Sequence, residues 1–154
     1  MSLVRVLVAL VAVGGAVAAQ DKPAGDASPL AGKWKVTAGA KNGERMDESK
    51  LNEVAVFTKD KVTMKTPDGA FEFTYTADAK ATPMTVDMTV VKPDMFKGAK
   101  ALGIVKVTGT AMTLCYNAEK DGKRPTIFQS SKDNKCFLFV LEKQPEVKKD
   151  EPKK

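Results

Sequence analysis

The chain has 154 residues, 25 lysines and arginines against 19 acidic residues, a net charge of +6 and no histidine. Without histidine there is no Ser-His-Asp or Cys-His catalytic arrangement, no histidine-ligated zinc and no histidine pH switch; two cysteines are too few for a structural zinc site. The positive charge is nearly all lysine, interleaved with acids at alternating and loop positions. Nucleic-acid binders instead cluster Lys and Arg, so the pattern reads as a solvated outer face and no nucleic-acid partner is expected.

The chain opens with Arg5 as its first charge, an apolar run over residues 6–13 and a small-residue stretch over 14–19. This is the layout of a secretory signal peptide, with cleavage expected after Ala18 or Ala19. As a membrane anchor the run is short of the ~20 residues a spanning helix needs, and it ends in polar Gln20-Asp21-Lys22-Pro23. The expected product is soluble, periplasmic or extracellular, with no transmembrane segment after signal removal and a charge of +5 once Arg5 leaves. Residues 20–29 read as a flexible polar linker, 30–143 as one folded domain and 144–154 as a disordered Lys/Glu/Pro tail. Neither end segment has enough apolar surface to offset chain entropy.

Within 30–143 the apolar period is two. Trp34 and Val36 alternate with Lys33, Lys35 and Thr37. Residues 46–54 form a helical patch, with Asp47 as a cap and Leu51 on its inner side. Val62 and Met64 alternate with lysine and threonine, as do Phe71, Phe73 and Tyr75 with Glu72, Thr74 and Thr76. Met84, Val86, Met88 and Val90 follow, then Met112, Leu114 and Tyr116. Each run is a strand with one buried and one wet face. Lys59-Asp60, Pro67-Asp68-Gly69 and Thr108-Gly109 supply hairpin turns. The last of these would set Val105 against Met112 and Gly103 against Leu114, with matching inward parity. Seven to nine short strands in a meander must close to manage their edges. The expected fold is therefore all-β, a single antiparallel up-and-down lipocalin-like barrel with one short helix; a two-sheet β-sandwich is the runner-up.

The segments LAGKW (30–34), VFTKDKVTM (56–64), LGIVKVTGTAMTLCY (102–116), KRPTIFQS (123–130) and FVLEK (139–143), in this order and spacing, resemble a family of small exported proteins of no established activity, abundant in Planctomycetes and lipocalin-like. The chain departs from that pattern in ending its last strand Glu142-Lys143 rather than Lys-Arg, and in carrying Thr-Gly where the family more often has Asp-Gly. The resemblance implies the barrel and leaves the function open.

Gly32 and Trp34 also look like the Gly-x-Trp of lipocalins, whose tryptophan plugs the closed barrel end beneath a late arginine. The resemblance implies Arg124 or Lys143 as that cation, a structural role resting on ring burial and a cation–π contact. The alternative is a core tryptophan with no cation above it. Cys115 and Cys136 would be exposed to an oxidising compartment. If the strand after Cys136 pairs directly with the strand ending at Tyr116, they lie at the same end and a disulfide can form. If residues 126–129 intervene as a strand, they lie at opposite ends.

Phe71, Phe73, Tyr75, Met84, Val86, Met88, Met112 and Tyr116 would face the interior. They either line a site for an apolar ligand or fill the barrel themselves. Eight strands leave an interior just wide enough for that choice to arise. Their bulk favours filling, and predicts no large cavity and weak binding of apolar probes. Asp87, Glu72, Asp78 and Asp121 form no acid–base pair. No cofactor or metal is expected. The sequence points to a non-enzymatic binding or interaction module of the cell envelope, whose partner is an envelope protein or a small apolar molecule. A carrier of an apolar ligand inside the barrel is the first alternative, an enzyme the weakest. An open cavity of a few hundred Å³ would favour the carrier.

Overall fold

The computed structural model describes residues 28–51, 53–66 and 69–146. The expected signal segment, most of the linker and the tail from 147 onward lie outside the described residues. Nine strands follow in chain order: β1 Gly32–Lys41, β2 Glu44–Arg45, β3 Val54–Phe57, β4 Lys61–Thr66, β5 Gly69–Asp78, β6 Met84–Lys92, β7 Lys100–Thr108, β8 Ala111–Asn117 and β9 Phe137–Lys143. Each pairs antiparallel with its neighbour, and β1 returns to pair with β9. The result is an eight-stranded closed up-and-down barrel, with β2 as an extra strand on the end of β1. Closure satisfies both edges of β1, so the sandwich arrangement is not adopted.

Alternation decides which side chains go inward. Trp34, Val36, Phe57, Val62, Val86 and Leu141 are all buried, while Lys33, Lys35 and Asp87 on the opposite parity are exposed. One irregularity changes that parity: β1 carries a bulge between Val36 and Ala38. Beyond it Gly39 rather than Ala38 is buried. A Cβ on Gly39 would lie only 3.0–3.1 Å from Met46, Leu51 and Phe139, so the missing side chain admits the 45–51 segment against the barrel.

Three local expectations are corrected. Residues 46–54 form no α-helix; there is a 3-10 turn at Glu48–Lys50, and Asp47 makes no side-chain cap bond. The few residues between β2 and β3 must turn straight back into the sheet, which leaves no length for a helix. Leu51 does pack into the core. The β7–β8 turn is Gly109-Thr110, because Thr108 pairs with Ala111. Gly109 supplies the positive φ of +60° that a two-residue hairpin needs at its first central position. Val105 therefore faces Leu114 and Gly103 faces Tyr116. The slip is two residues, so the inward parity is unchanged. The Lys59-Asp60 turn stands between Thr58 and Lys61, whose backbone atoms bond at 2.8 Å. The Pro67-Asp68 turn lies outside the described residues, and Gly69 opens β5 opposite Thr66.

The two barrel ends differ. At the end holding Trp34, residues 28–31 fold beneath the barrel: Ala31 N–H bonds Ser28 O at 2.7 Å, and Leu30 is fully buried. The folded domain thus includes Ser28 and Pro29, which the sequence assigned to the linker, and Gln144, whose N–H bonds Lys33 O at 2.8 Å. Among the described residues no comparable segment crosses the other end, where the β6–β7 loop and the β8–β9 connection emerge.

Candidate functional site

At the closed end the Trp34 indole N–H donates to Leu30 O at 2.8 Å, and the ring has no solvent exposure. The cation above it is Lys143, with Nζ 5.6 Å from the ring centre. Gly32 makes room for that lysine. Its φ is +131°, and a Cβ there would sit 3.1 Å from Lys143 Cε, so glycine serves both the backbone and the close approach. Tyr75 completes the seal. Its hydroxyl donates to Thr58 O at 2.6 Å and lies 2.9 Å from Ser28 Oγ. Burial pushes its phenol pKa up.

Arg124 is not part of this plug. It sits on the outside of β6 and β7, where Nη1 donates to Gly103 O at 2.8 Å and Val86 O at 3.2 Å, and Nη2 pairs with Asp87. The 118–136 connection, which contains no strand, runs along the barrel wall as a strap, and Arg124 anchors it. Ser130 ties its far end, accepting from Gly43 N–H at 3.0 Å and donating to Cys136 O at 2.7 Å.

Cys115 lies under this strap and Cys136 is its last residue. β9 pairs directly with β8, with Cys115 opposite Leu138, which is the same-end topology. They share a second apolar cluster with Ile104, Phe128 and Leu138, outside the barrel. Cys115 has outward parity as its sequence position implied, yet the strap buries it completely. The two lie 4.4 Å apart and are not bonded. Desolvation by burial, then the neighbouring Cys136, pushes the Cys115 thiol up to about 11, so both remain protonated near neutrality.

The barrel centre is filled. The void among Phe57, Val62, Met88, Leu114 and Leu141 is only about 20 Å³. Above it, at the open end, lies a cup of about 390 Å³. Its wall is largely aromatic: Phe71, Phe73, Tyr116, Phe96 and Phe137, with Met64, Val90 and Ala101 between them. Phe71 and Phe73 stack at 6.3 Å, and Tyr116 stacks on Phe137 at 5.0 Å. Charged groups stand at the rim: Lys41, Lys100 and Glu119. Lys41 Nζ lies 4.7 Å above the Phe137 ring. The Tyr116 hydroxyl has no hydrogen-bond partner among the described residues, and burial raises its pKa.

The eight residues read as inward lining therefore separate. Phe71, Phe73 and Tyr116 line the cup, and Met88 borders the small void beneath it. Tyr75 seals the closed end, and Met84, Val86 and Met112 pack with the core. The expectation of a wholly filled interior is corrected at the mouth alone. A large side chain fills space only where another faces it across the barrel, and among the described residues no segment crosses the open end to face Phe71 and Phe137. Sequence reasoning missed Lys41, because strict alternation from Trp34 assigns it outward and only the bulge turns it to the rim. It missed Phe96 and Lys100 because they belong to a loop and a strand end. The Asn42-Gly43 turn, with φ values of +53° and +79°, was a readable hairpin signal beside Lys41.

No protein-family model, curated protein or solved structure matches this chain.

Proposed function

We propose that this chain is an exported binding protein that carries a small amphipathic molecule in the mouth of its barrel. The observation that carries the reading is the contrast between a packed barrel centre and an unfilled aromatic cup of about 390 Å³. That size falls within the range of small-molecule sites, which are mostly apolar with a few placed polar groups. The apolar body of a guest would lie against Phe71, Phe73 and Phe137. An anionic end would meet Lys41 and Lys100, and the Tyr116 hydroxyl offers one hydrogen bond from the wall. Glu119 opposes a second negative charge. We infer export from the charged start, apolar run and small-residue exit of residues 1–19; N-terminal sequencing of envelope protein that found Met1 or Ser2 intact would overturn this. In an oxidising compartment the close-set Cys115 and Cys136 would form a disulfide, seen as a loss of two mass units on intact-mass measurement.

The binding test is a titration with an anionic fluorescent fatty-acid analogue in the absence of lipid. Saturable binding near 1 μM, worth ~8 kcal/mol, is expected. Ala99→Trp places a large ring at the exposed rim and should abolish binding with the fold retained. Lys41→Glu with Lys100→Glu should weaken it at least about tenfold, as two nearby charges of reversed sign would. Unsaturable binding, or equal binding by the Ala99→Trp variant, sinks the carrier reading in favour of an interaction module that uses the outer face.

A further inference from the structure

We propose that the mouth of the barrel docks on an anionic lipid bilayer, with Met95 and Phe96 entering the headgroup region and the neighbouring lysines lying against the lipid phosphates. The reading deepens the carrier function, because a guest could then pass from bilayer to cup without crossing water.

Among the described residues four large apolar side chains are exposed, and Met95 and Phe96 are the one adjacent pair. Met95 is 79% and Phe96 51% exposed. They form the tip of the β6–β7 loop, at the open end, and Phe96 is also a wall of the cup. The tip is a built protrusion. Phe96 N–H bonds Pro93 O at 3.0 Å, Ala99 N–H bonds Phe96 O at 3.0 Å and Gly98 N–H bonds Val90 O at 2.9 Å. A fixed backbone that holds two large apolar groups in water lacks only the surface that would cover them.

Charge identifies that surface. The loop and its flanks carry Lys92, Lys97 and Lys100 against Asp94, and Lys41 stands across the mouth. Lys92 pairs with Glu72 at 3.6 Å. Lys97, Lys100 and Lys41 are exposed and make no ion pair among the described residues. An aromatic–apolar tip ringed by unpaired lysines matches the interface of a bilayer, where the rings sit at headgroup level and lysine stems reach the phosphates. The docking involves an exposed loop, not a spanning helix: no helix of the described residues is long and apolar enough to cross a membrane.

The experiment places a tryptophan at the tip. Trp34 is the one native tryptophan and is buried, so added rings report their own surroundings. Full-length Met95→Trp is mixed with phosphatidylcholine/phosphatidylglycerol vesicles bearing brominated acyl chains, beside Thr110→Trp, which marks the closed end. The mouth tryptophan should shift to the blue and be quenched; the closed-end tryptophan should not. Because the readout is local, lipid binding by the apolar run at residues 6–13 cannot imitate it. Adding Phe96→Asp and Lys97→Glu should weaken the quenching by about tenfold or more, because the first removes an apolar anchor and the second reverses a charge that attracts the anionic surface. A tip tryptophan that stays unquenched, or is quenched no more than the one at position 110, overturns the proposal and leaves a protein as the partner of this loop. Cup binding is measured without vesicles and docking without guest, so each can fail alone.

Discussion

Trp34 shows how much one side chain can hold in a small barrel. Its ring is fully buried, its N–H is satisfied by Leu30 O and Lys143 lies over its face. Trp34→Ala removes the ring and leaves a cavity that strands cannot collapse into, so a loss of ~3–5 kcal/mol is expected, read from the urea midpoint. Lys143→Met keeps most of the stem and should cost only about 0.5–1 kcal/mol, the scale of an exposed cation–π contact. Cys115 is sensitive to pH rather than to shape. Its thiol ordinarily titrates at 9.0 and is pushed here to about 11, chiefly because it is buried. Below 9 both folded and unfolded chains keep the proton. Between the two values the unfolded chain releases it while the folded chain holds it, so the unfolded state is favoured. In reducing buffer, stability should fall as pH rises from 9 toward 11, and the fall should be shallower in Cys115→Ala. An identical slope in both proteins would remove the thiol from the account.

At the scale of elements, the 118–136 strap is held to the barrel by side chains rather than by a ladder. Arg124 reaches two carbonyls and Asp87, Ser130 joins Gly43 to Cys136, and Phe128 covers Ile104 and Cys115. Arg124→Met keeps the length and loses the hydrogen bonds. With the guanidinium side chain still 30% exposed, the expected cost is about 1–2 kcal/mol, the lower part of the range for charge-assisted bonds. Limited proteolysis should then cut within the strap well before the barrel opens, because local release costs less than global unfolding. The strap also explains why alternation alone misjudged Cys115. Outward parity on β8 usually means solvent, but a connection of about 20 residues, longer than most loops in compact domains, supplies a second layer over it.

At the scale of the whole molecule, the described residues form a barrel sealed at one end and open at the other, and this asymmetry gives it a site. A guest bound in the cup, and not to the unfolded chain, should raise stability by ~2.7 kcal/mol at a hundredfold excess over its dissociation constant. Thermal unfolding with and without the fatty-acid analogue measures this, and Ala99→Trp should show no shift. Much of the architecture was legible in the order of residues. Alternation over Trp34–Val36, Phe71–Tyr75 and Met84–Val90, with turn residues between, specifies inward and outward faces, because a strand's side-chain period is a local property of its backbone. The tryptophan plug was legible for the same reason, together with the Gly-x-Trp resemblance. The cup was not. It depends on a bulge that turns Lys41 to the rim, on the 28–31 segment crossing one end and not the other, and on Phe96 and Phe137 arriving from distant parts of the chain. The same contact rule separated Lys143 from Arg124 as the cation over Trp34, since either could stack on the ring in isolation and only their positions on β9 and the strap decide which does. Local order dictates which way each side chain points; whether it meets a partner across the barrel depends on closure, and unfilled space is a property of closure alone.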